Sequence, residues 1–250
     1  MSVAEIAVLG LGEAGGRLAA DLAEAGAGVR SYDPDPERGG SASSPEEAVA
    51  GADVVLSANA ASAAVAAAES AMPALGAEAV YADLNTAAPA VKHELAAIAG
   101  ERFADVALLG PVPERGLGTP VLASGPAAEA FAAALRPLGM PVEVVSDRAG
   151  DAAEMKLLRS VFMKGLAASA IESLDAAERT GHGVWLRGEI AGVIGEPLLD
   201  RLVEGSRRHA SRRVDEMDAA RALLHDLGVE PRIASASGAL LSELAGAGQE

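Results

Sequence analysis

Ile6-Ala7-Val8-Leu9-Gly10-Leu11-Gly12-Glu13-Ala14-Gly15 joins a short apolar run to a glycine-punctuated turn, and the helical stretch Arg17–Ala25 follows. Each glycine has a separate physical task. Gly10 permits the tight turn, Gly12 lets the backbone approach a pyrophosphate, and Gly15 allows close packing of helix on strand. The helix start offers unpaired N–H groups and a partial positive charge to an anion, so Leu11, Glu13 and Ala14 line the same cradle. Asp33 stands at the end of the next apolar run, eighteen residues past Gly15. That separation suits an acid accepting hydrogen bonds from an adenosine ribose. A carboxylate there repels a 2′-phosphate, which makes NAD the expected cofactor. Arg30 and Arg38 lie close in sequence and keep NADP open.

Outward from this motif, short β-prone runs alternate with Ala-rich helical stretches. The runs are Ile6–Leu9, Val29–Tyr32, Val54–Ser57, Val80–Asp83, Val106–Leu109, Val121–Ser124 and Val142–Val145. Four or five apolar residues without strict alternation mark strands buried on both faces. The alternation predicts βαβ units in a doubly wound parallel sheet, a Rossmann-type α/β domain over 1–147. Within it, Ser44-Pro45-Glu46-Glu47 predicts a helix capped by Ser44, with Pro45 first and Glu47 completing a capping box. After Gly150 the β signals vanish. One long helical pattern runs from Asp151 to about Thr180, followed by Val184–Ile194, Pro197–Leu227 with a break near Gly205, and Arg232–Leu244. The expected second domain, 150–250, is all helical and joined to the first by the long helix, with residues 246–250 frayed.

Thirty-six acidic residues against 20 basic ones give a net charge of −16 over 250 residues. Such a field repels nucleic acid. The chain has no cysteine, which removes disulfides, thiol nucleophiles and cysteine metal sites, and fits a reducing cytoplasm. Neither a signal peptide nor a run of about 18 apolar residues is present, so no membrane partner is expected.

The glycine loop, the trailing Arg17–Leu22 and the lysine near the start of the long helix together resemble the β-hydroxyacid dehydrogenase family. That family includes 6-phosphogluconate and 3-hydroxyisobutyrate dehydrogenases, with imine reductases as relatives, and the likeness spans nearly the whole chain. Asp83-Leu84-Asn85-Thr86-Ala87-Ala88-Pro89 is similar to the family's Asp-x-Ser-Thr-x-x-Pro segment near the nicotinamide, which assigns Asn85 to the cofactor. Ser57-Ala58-Asn59-Ala60 resembles a wall of the cofactor cleft and assigns Ala58 and Asn59. Gly150-Asp151-Ala152-Ala153-Glu154-Met155-Lys156 is similar to the stretch that delivers the catalytic lysine, so the resemblance makes Lys156 the proton-transfer residue. There are departures. Ser160 stands where the family has asparagine, and Asp215-Glu216 where it has a Lys-Asp pair. Asp105-Val106-Ala107-Leu108-Leu109-Gly110-Pro111 replaces the substrate loop, leaving Leu109 and Gly110 at its binding positions.

Reversible oxidation of an alcohol needs a hydride acceptor and a group to shuttle the hydroxyl proton. Lys156 can fill the second role if its pKa is brought toward neutrality. Ser160, four residues on, shares its helix face as an orienting group, and Lys164 lies one turn further. The alternative is a surface lysine lying along an apolar stripe. In the run Arg207-Arg208-His209-Ala210-Ser211-Arg212-Arg213, helical spacing puts His209, Arg212 or Arg213, and Glu216 on one face. His209, Arg212 and Arg213 are thus candidates to grip a substrate anion, the alternative being a solvated face pairing with Asp200, Glu204, Asp215 and Asp218. No spacing suggests a metal site. The expectation is an NAD(P)-dependent oxidoreductase for a small hydroxy acid or related alcohol, acting as a homodimer. An imine reductase and a non-catalytic NAD(H)-binding sensor are the alternatives.

Overall fold

A computed structural model describes residues 4–247 of the chain, which divide into two compact units between Lys156 and Leu157. In the first unit β1 (Glu5–Leu9), β2 (Gly28–Tyr32), β3 (Val54–Ser57), β4 (Val80–Asp83), β5 (Phe103–Leu108), β6 (Val121–Ser124) and β7 (Val142–Val144) form one sheet. Its order is β2-β1-β3-β4-β5-β6-β7. Between the strands lie α1 (Glu13–Glu24), α2 (Pro45–Val49), α3 (Ala64–Ala71), α4 (Pro89–Ala99), α5 (Val112–Arg115) and α6 (Ala128–Leu135). Successive residues of β1 point into different cores. Ile6 and Val8 pack with Leu18 and Leu22 of α1 and Phe131 and Leu135 of α6. Ala7 and Leu9 pack with Ala64 and Ala68 of α3 and Leu95 and Ala99 of α4. Helices therefore cover both faces, which is why the strands read as unbroken apolar runs.

The sheet is not wholly parallel, as the sequence led us to expect. β6 runs antiparallel to β5, with Asp105 opposite Ser124 and Leu108 opposite Val121. The link between them carries only the one-turn helix α5 and a 3-10 turn at Gly116–Gly118, too short to return along a sheet face as a parallel crossover must. At α2, Ser44 Oγ accepts the Glu47 N–H at 3.2 Å, and Pro45 is the first helical residue. The Glu47 carboxylate, however, accepts from the N–H and hydroxyl of Ser43 at 2.7 and 2.6 Å rather than from Ser44, so the box closes one residue early.

The long helix α7 spans Asp151–Arg179, and the unit boundary falls within it. The second unit continues with α8 (Gly183–Ile194), α9 (Glu196–Arg208), α10 (Ala210–Asp226) and α11 (Arg232–Ala247). Its buried groups are Leu157, Met217, Ala220, Leu223 and Leu241 in one cluster and Ala170, Ile171, Leu174, Leu199 and Val203 in another. The break expected near Gly205 occurs instead at His209, whose backbone (φ −121°, ψ 32°) leaves the helix. Gly205 sits inside α9, where a Cβ would meet Arg213 Nη2 at 2.9 Å. The glycine makes room for a guanidinium rather than ending a helix. Of the segment expected to fray, α11 includes 246 and 247, and 248–250 lie outside the described residues. Among the described residues no helix is long and apolar enough to cross a membrane, and no group of three or more His, Cys, Asp or Glu is placed to hold a metal ion.

Candidate active site

The glycine loop sits at the carboxyl ends of β1 and β3, where the strand order reverses direction and open α/β sheets bind ligands. Two of its glycines are demanded by the protein itself. Gly10 has φ +96°, and a Cβ there would stand 2.5 Å from the Ala58 carbonyl oxygen and 2.6 Å from Asn59 Oδ1. At Gly15 a Cβ would lie 1.9 Å from the Gly10 carbonyl oxygen. Gly12 differs. Its backbone (φ −63°, ψ −170°) suits any residue, and a Cβ would meet only Arg38 Nη1 at 3.5 Å, an ordinary contact. Nothing in the fold requires glycine at 12, so the space above it is cleared for something other than protein. Gly12 is also the N-cap of α1 and offers no side-chain cap, which leaves the helix N–H groups to an external anion. These residues fit a dinucleotide.

Asp33 closes the loop on its outer side. Its Oδ2 accepts the Leu11 N–H at 2.6 Å and faces Arg38 Nη1 at 3.3 Å, and its Oδ1 accepts the Asp35 N–H at 2.9 Å. Burial pushes the carboxyl pKa up, but those two N–H donors and the Arg38 guanidinium outweigh it and hold it below the ordinary value. Arg38 thus bridges the acid and the edge of the glycine loop.

From Asn59 a row of polar side chains runs across the strand ends. Asn59 Nδ2 donates to Ser57 Oγ at 2.9 Å, Asn85 Nδ2 lies 3.5 Å from the same hydroxyl, and Asn85 Nδ2 also donates to Asp83 Oδ1 at 2.5 Å. Asn85 is 5% exposed, and its Oδ1 has no partner. A narrow, nearly closed cleft at this point is lined by Asn85, Thr86, Ala87, Asp105, Val106, Ala107, Ala153 and Lys156. Lys156, half-buried, donates from Nζ to Thr86 Oγ1 at 2.6 Å. The first unit therefore brings together Gly10, Gly15, Asp33, Ala58, Asn59, Asn85 and Lys156.

Leu109 and Gly110 fall outside that row. Leu109, like Val145, packs against the cluster of Ala107, Leu122 and Ala152, and it lines a separate groove with Pro120, Arg136 and Glu143. Gly110 faces Arg115 and Thr119. The second unit holds its own buried cluster. Ser160 donates to Glu216 Oε1 in a short hydrogen bond, and Glu216 Oε2 pairs with Lys164 Nζ at 2.8 Å. Burial pushes the Lys164 pKa below its ordinary value against the pull of Glu216, and Arg213 and Arg159 push it further down. Arg213 Nη1 donates to Ser206 Oγ at 2.5 Å, and burial likewise lowers its pKa. His209 is the joint between α9 and α10, Arg212 is exposed, and Arg207 pairs with Asp175 rather than with the acids expected.

Residues 5–139 match the NAD-binding domain of 6-phosphogluconate dehydrogenase. The chain belongs to that family. Residues 177–244 match a domain of unknown function, DUF1932. An uncharacterised 28.5 kDa protein of Methanothermus fervidus is 31% identical over 130 residues, half of each chain, so the match spans about half the length of that curated relative. Among solved structures, a conserved hypothetical protein from Sinorhizobium meliloti is 30% identical, with a TM-score of 0.75 over 96% of this chain and 88% of that one. The 3-hydroxyisobutyrate dehydrogenase of Mycobacterium tuberculosis, solved with L-serine, is 20% identical with a TM-score of 0.81 over 98% and 94%. Its likeness is one of fold.

In this member of the 6-phosphogluconate dehydrogenase NAD-binding family, sequence reasoning missed Lys92. Its ammonium lies 2.6 Å from Asp83 Oδ2 and 3.1 Å from Asp105 Oδ1, with all three side chains sealed from water. A signal was present: Lys92, Leu95 and Ala99 share the buried stripe of α4, and a lysine in an apolar stripe requires partners. The ion pair of Arg38 with Asp33 and the Thr86 partner of Lys156 had no such mark.

Proposed function

We propose that the chain transfers hydride between a nicotinamide dinucleotide and a small hydroxy acid or related alcohol, with Lys156 exchanging the hydroxyl proton. The observation that carries this reading is the Lys156 Nζ–Thr86 Oγ1 hydrogen bond at 2.6 Å, on the wall of the cleft that holds the unpartnered Asn85 Oδ1. Gly10 to Gly15 would hold the pyrophosphate, Asp33 the adenosine ribose, and Ala58, Asn59 and Asn85 the nicotinamide half. When bound, the dinucleotide supplies the hydride acceptor or donor. Thr86 aims the Lys156 amine into the cleft. In the oxidative direction that amine takes the proton of the substrate hydroxyl, and in the reductive direction it returns one to the carbonyl oxygen.

The buried Asp33 carboxylate favours NAD over NADP. Titration of NADH and NADPH by fluorescence tests this, and tighter NADPH binding through Arg38 would overturn it. Phe162, Val184, Trp185 and Val193 of the second unit are exposed and support self-association, to be read by light scattering.

Lys156→Gln tests the central claim. Over a panel of hydroxy acids and cyclic imines, the variant should lose about 10²–10⁴-fold in kcat on hydroxy acids, with dinucleotide Kd unchanged within twofold. Undiminished turnover would refute the role of Lys156. Reduction of cyclic imines alone, indifferent to Lys156, would replace the reading with imine reduction. Tight dinucleotide binding with no turnover would make the protein a sensor.

A further inference from the structure

Lysine occurs at only three positions in this chain, 92, 156 and 164, and the other 17 of its 20 basic residues are arginine. Surface charge is thus left to guanidinium groups, and Lys92 is 1% exposed. It stands between the carboxylates that β4 and β5 carry, Asp83 and Asp105, each 0% exposed. Two carboxylates sealed from water repel one another, and burial pushes the Asp83 carboxyl pKa up, so the pair must either take up a proton or hold a cation between them. An ammonium is a compact point charge with three donors, which suits a confined site between two acids. Lys92 Nζ lies 2.6 Å from Asp83 Oδ2, 3.1 Å from the Asp83 carbonyl oxygen and 3.1 Å from Asp105 Oδ1.

Each carboxylate turns its other oxygen toward one wall of the cleft. Asp83 Oδ1 accepts from Asn85 Nδ2 at 2.5 Å and so fixes the segment that continues into Thr86. Asp105 Oδ2 accepts the Ala153 N–H at 2.9 Å and the Ser124 hydroxyl at 3.2 Å, and Ser124 Oγ in turn accepts the Ala152 N–H at 3.0 Å. Ala152 and Ala153 are in the first turn of α7, three or four residues ahead of Lys156. Their N–H groups are ones a helix start leaves unsatisfied, and the negative carboxylate suits that end of the helix dipole. A continuous path of hydrogen bonds and ion pairs therefore leads from Asn85 through Asp83, Lys92 and Asp105 to the helix that bears Lys156.

We infer that Lys92 is a positioning residue: by clamping Asp83 to Asp105 it fixes the distance between the Asn85–Thr86 segment and the first turn of α7, and thereby seats the Lys156 amine on Thr86. The inference builds on the reading of Lys156 as the proton-transfer group. Its physical content is independent of turnover, because it concerns where one amine is held. A filler of the same volume at 92 would keep the core closed and leave that distance unspecified.

Three lysines make the test direct. Protein labelled with ¹³C-lysine gives three sets of side-chain signals, and Lys156→Gln identifies the one that matters. An amine held at a single hydrogen bond shows two distinct ε-methylene protons, and a freely rotating one shows a merged pair. Asp105→Asn and Ser124→Ala loosen the α7 anchor without removing Lys92, and Lys92→Met removes the clamp. In all three that remain folded the Lys156 ε-protons should merge while those of Lys164 stay unchanged. Where substrate is turned over, kcat should fall at least tenfold with KM for the dinucleotide within twofold. Ser124→Ala keeps every charge and is the variant to read if the other two fail to fold. Resolved Lys156 ε-protons in folded Lys92→Met, or in Ser124→Ala where that variant alone folds, would overturn the inference. If Lys156→Gln keeps its turnover while the anchor variants still merge the signal, the proton-transfer reading fails and the positioning one stands.

Discussion

Replacing Gly12 and Gly15 separately by alanine distinguishes a glycine that the fold needs from one that a ligand needs. At Gly15 the new methyl would lie 1.9 Å from the Gly10 carbonyl oxygen. Backbone must move, and the cost sits at the top of the overpacking range, about 3 kcal/mol. For a chain of this size that lowers Tm by roughly 6–12 °C. At Gly12 the backbone already suits alanine, which stabilises by about 0.4–1 kcal/mol through the unfolded chain. Alanine is a poorer N-cap than glycine by a similar amount, up to about 1 kcal/mol. The two effects cancel, and Tm should stay within about 2 °C. The Gly12 methyl would nevertheless occupy the approach to the α1 N-terminus, so NADH affinity should fall at least tenfold, about 1.4 kcal/mol. Thermal melts and fluorescence titration of both variants measure the two quantities independently. Wild-type NADH affinity in Gly12→Ala would refute the assignment of that space to a dinucleotide, and a wild-type melt for Gly15→Ala would refute the steric argument.

Asp33→Asn bears on pH. Because the folded-state pKa of Asp33 is depressed, its stabilisation is fully present above the unfolded value of about 3.9 and is lost as pH falls through the folded value. Urea melts should show the variant about 1 kcal/mol less stable at pH 7, with the gap closing as the acid range is entered; a gap that widens there refutes the sign. Lys164→Met removes the 2.8 Å counter-ion of Glu216, leaving that carboxylate to Ser160 and the Arg213 charge, and should cost about 3 kcal/mol, most of it recovered in the Lys164→Met/Glu216→Leu double variant. Failure of the double variant to recover would mean that the pair, not the stranded charge, carries the stability. Ser44→Ala removes the α2 cap and should cost about 1 kcal/mol, read as roughly 2–4 °C in Tm.

The strands were legible because burial on both faces leaves a composition signal that does not depend on partners: Val54–Ser57, Val80–Asp83 and Val121–Ser124 are read from sequence with their observed bounds. The direction of β6 was not legible, since apolar content is indifferent to whether a neighbour runs parallel. The helix break was misread at Gly205 because a glycine within a helix can serve a neighbour's side chain, here Arg213, as well as end a turn. The glycine loop and Lys156 were recognisable from local spacing. The anchor of α7 was not, because it ties residues of β4, α4, β5 and β6 to α7 through bonds that span up to 48 residues. Asp105 and Ser124 each read as an ordinary strand residue until their pairing opposite one another is known.

The reversed strand has an outcome for how such a protein can diversify. Because β6 returns beside β5, Ser124 reaches the start of α7 from a hairpin whose connecting loop lies at the far end, around Leu109 to Pro120. That loop can lengthen, shorten or change composition while the serine and its aspartate keep their grip. The same backbone can thus accept a different sequence around Leu109 and leave untouched the two side chains that grip the first turn of α7.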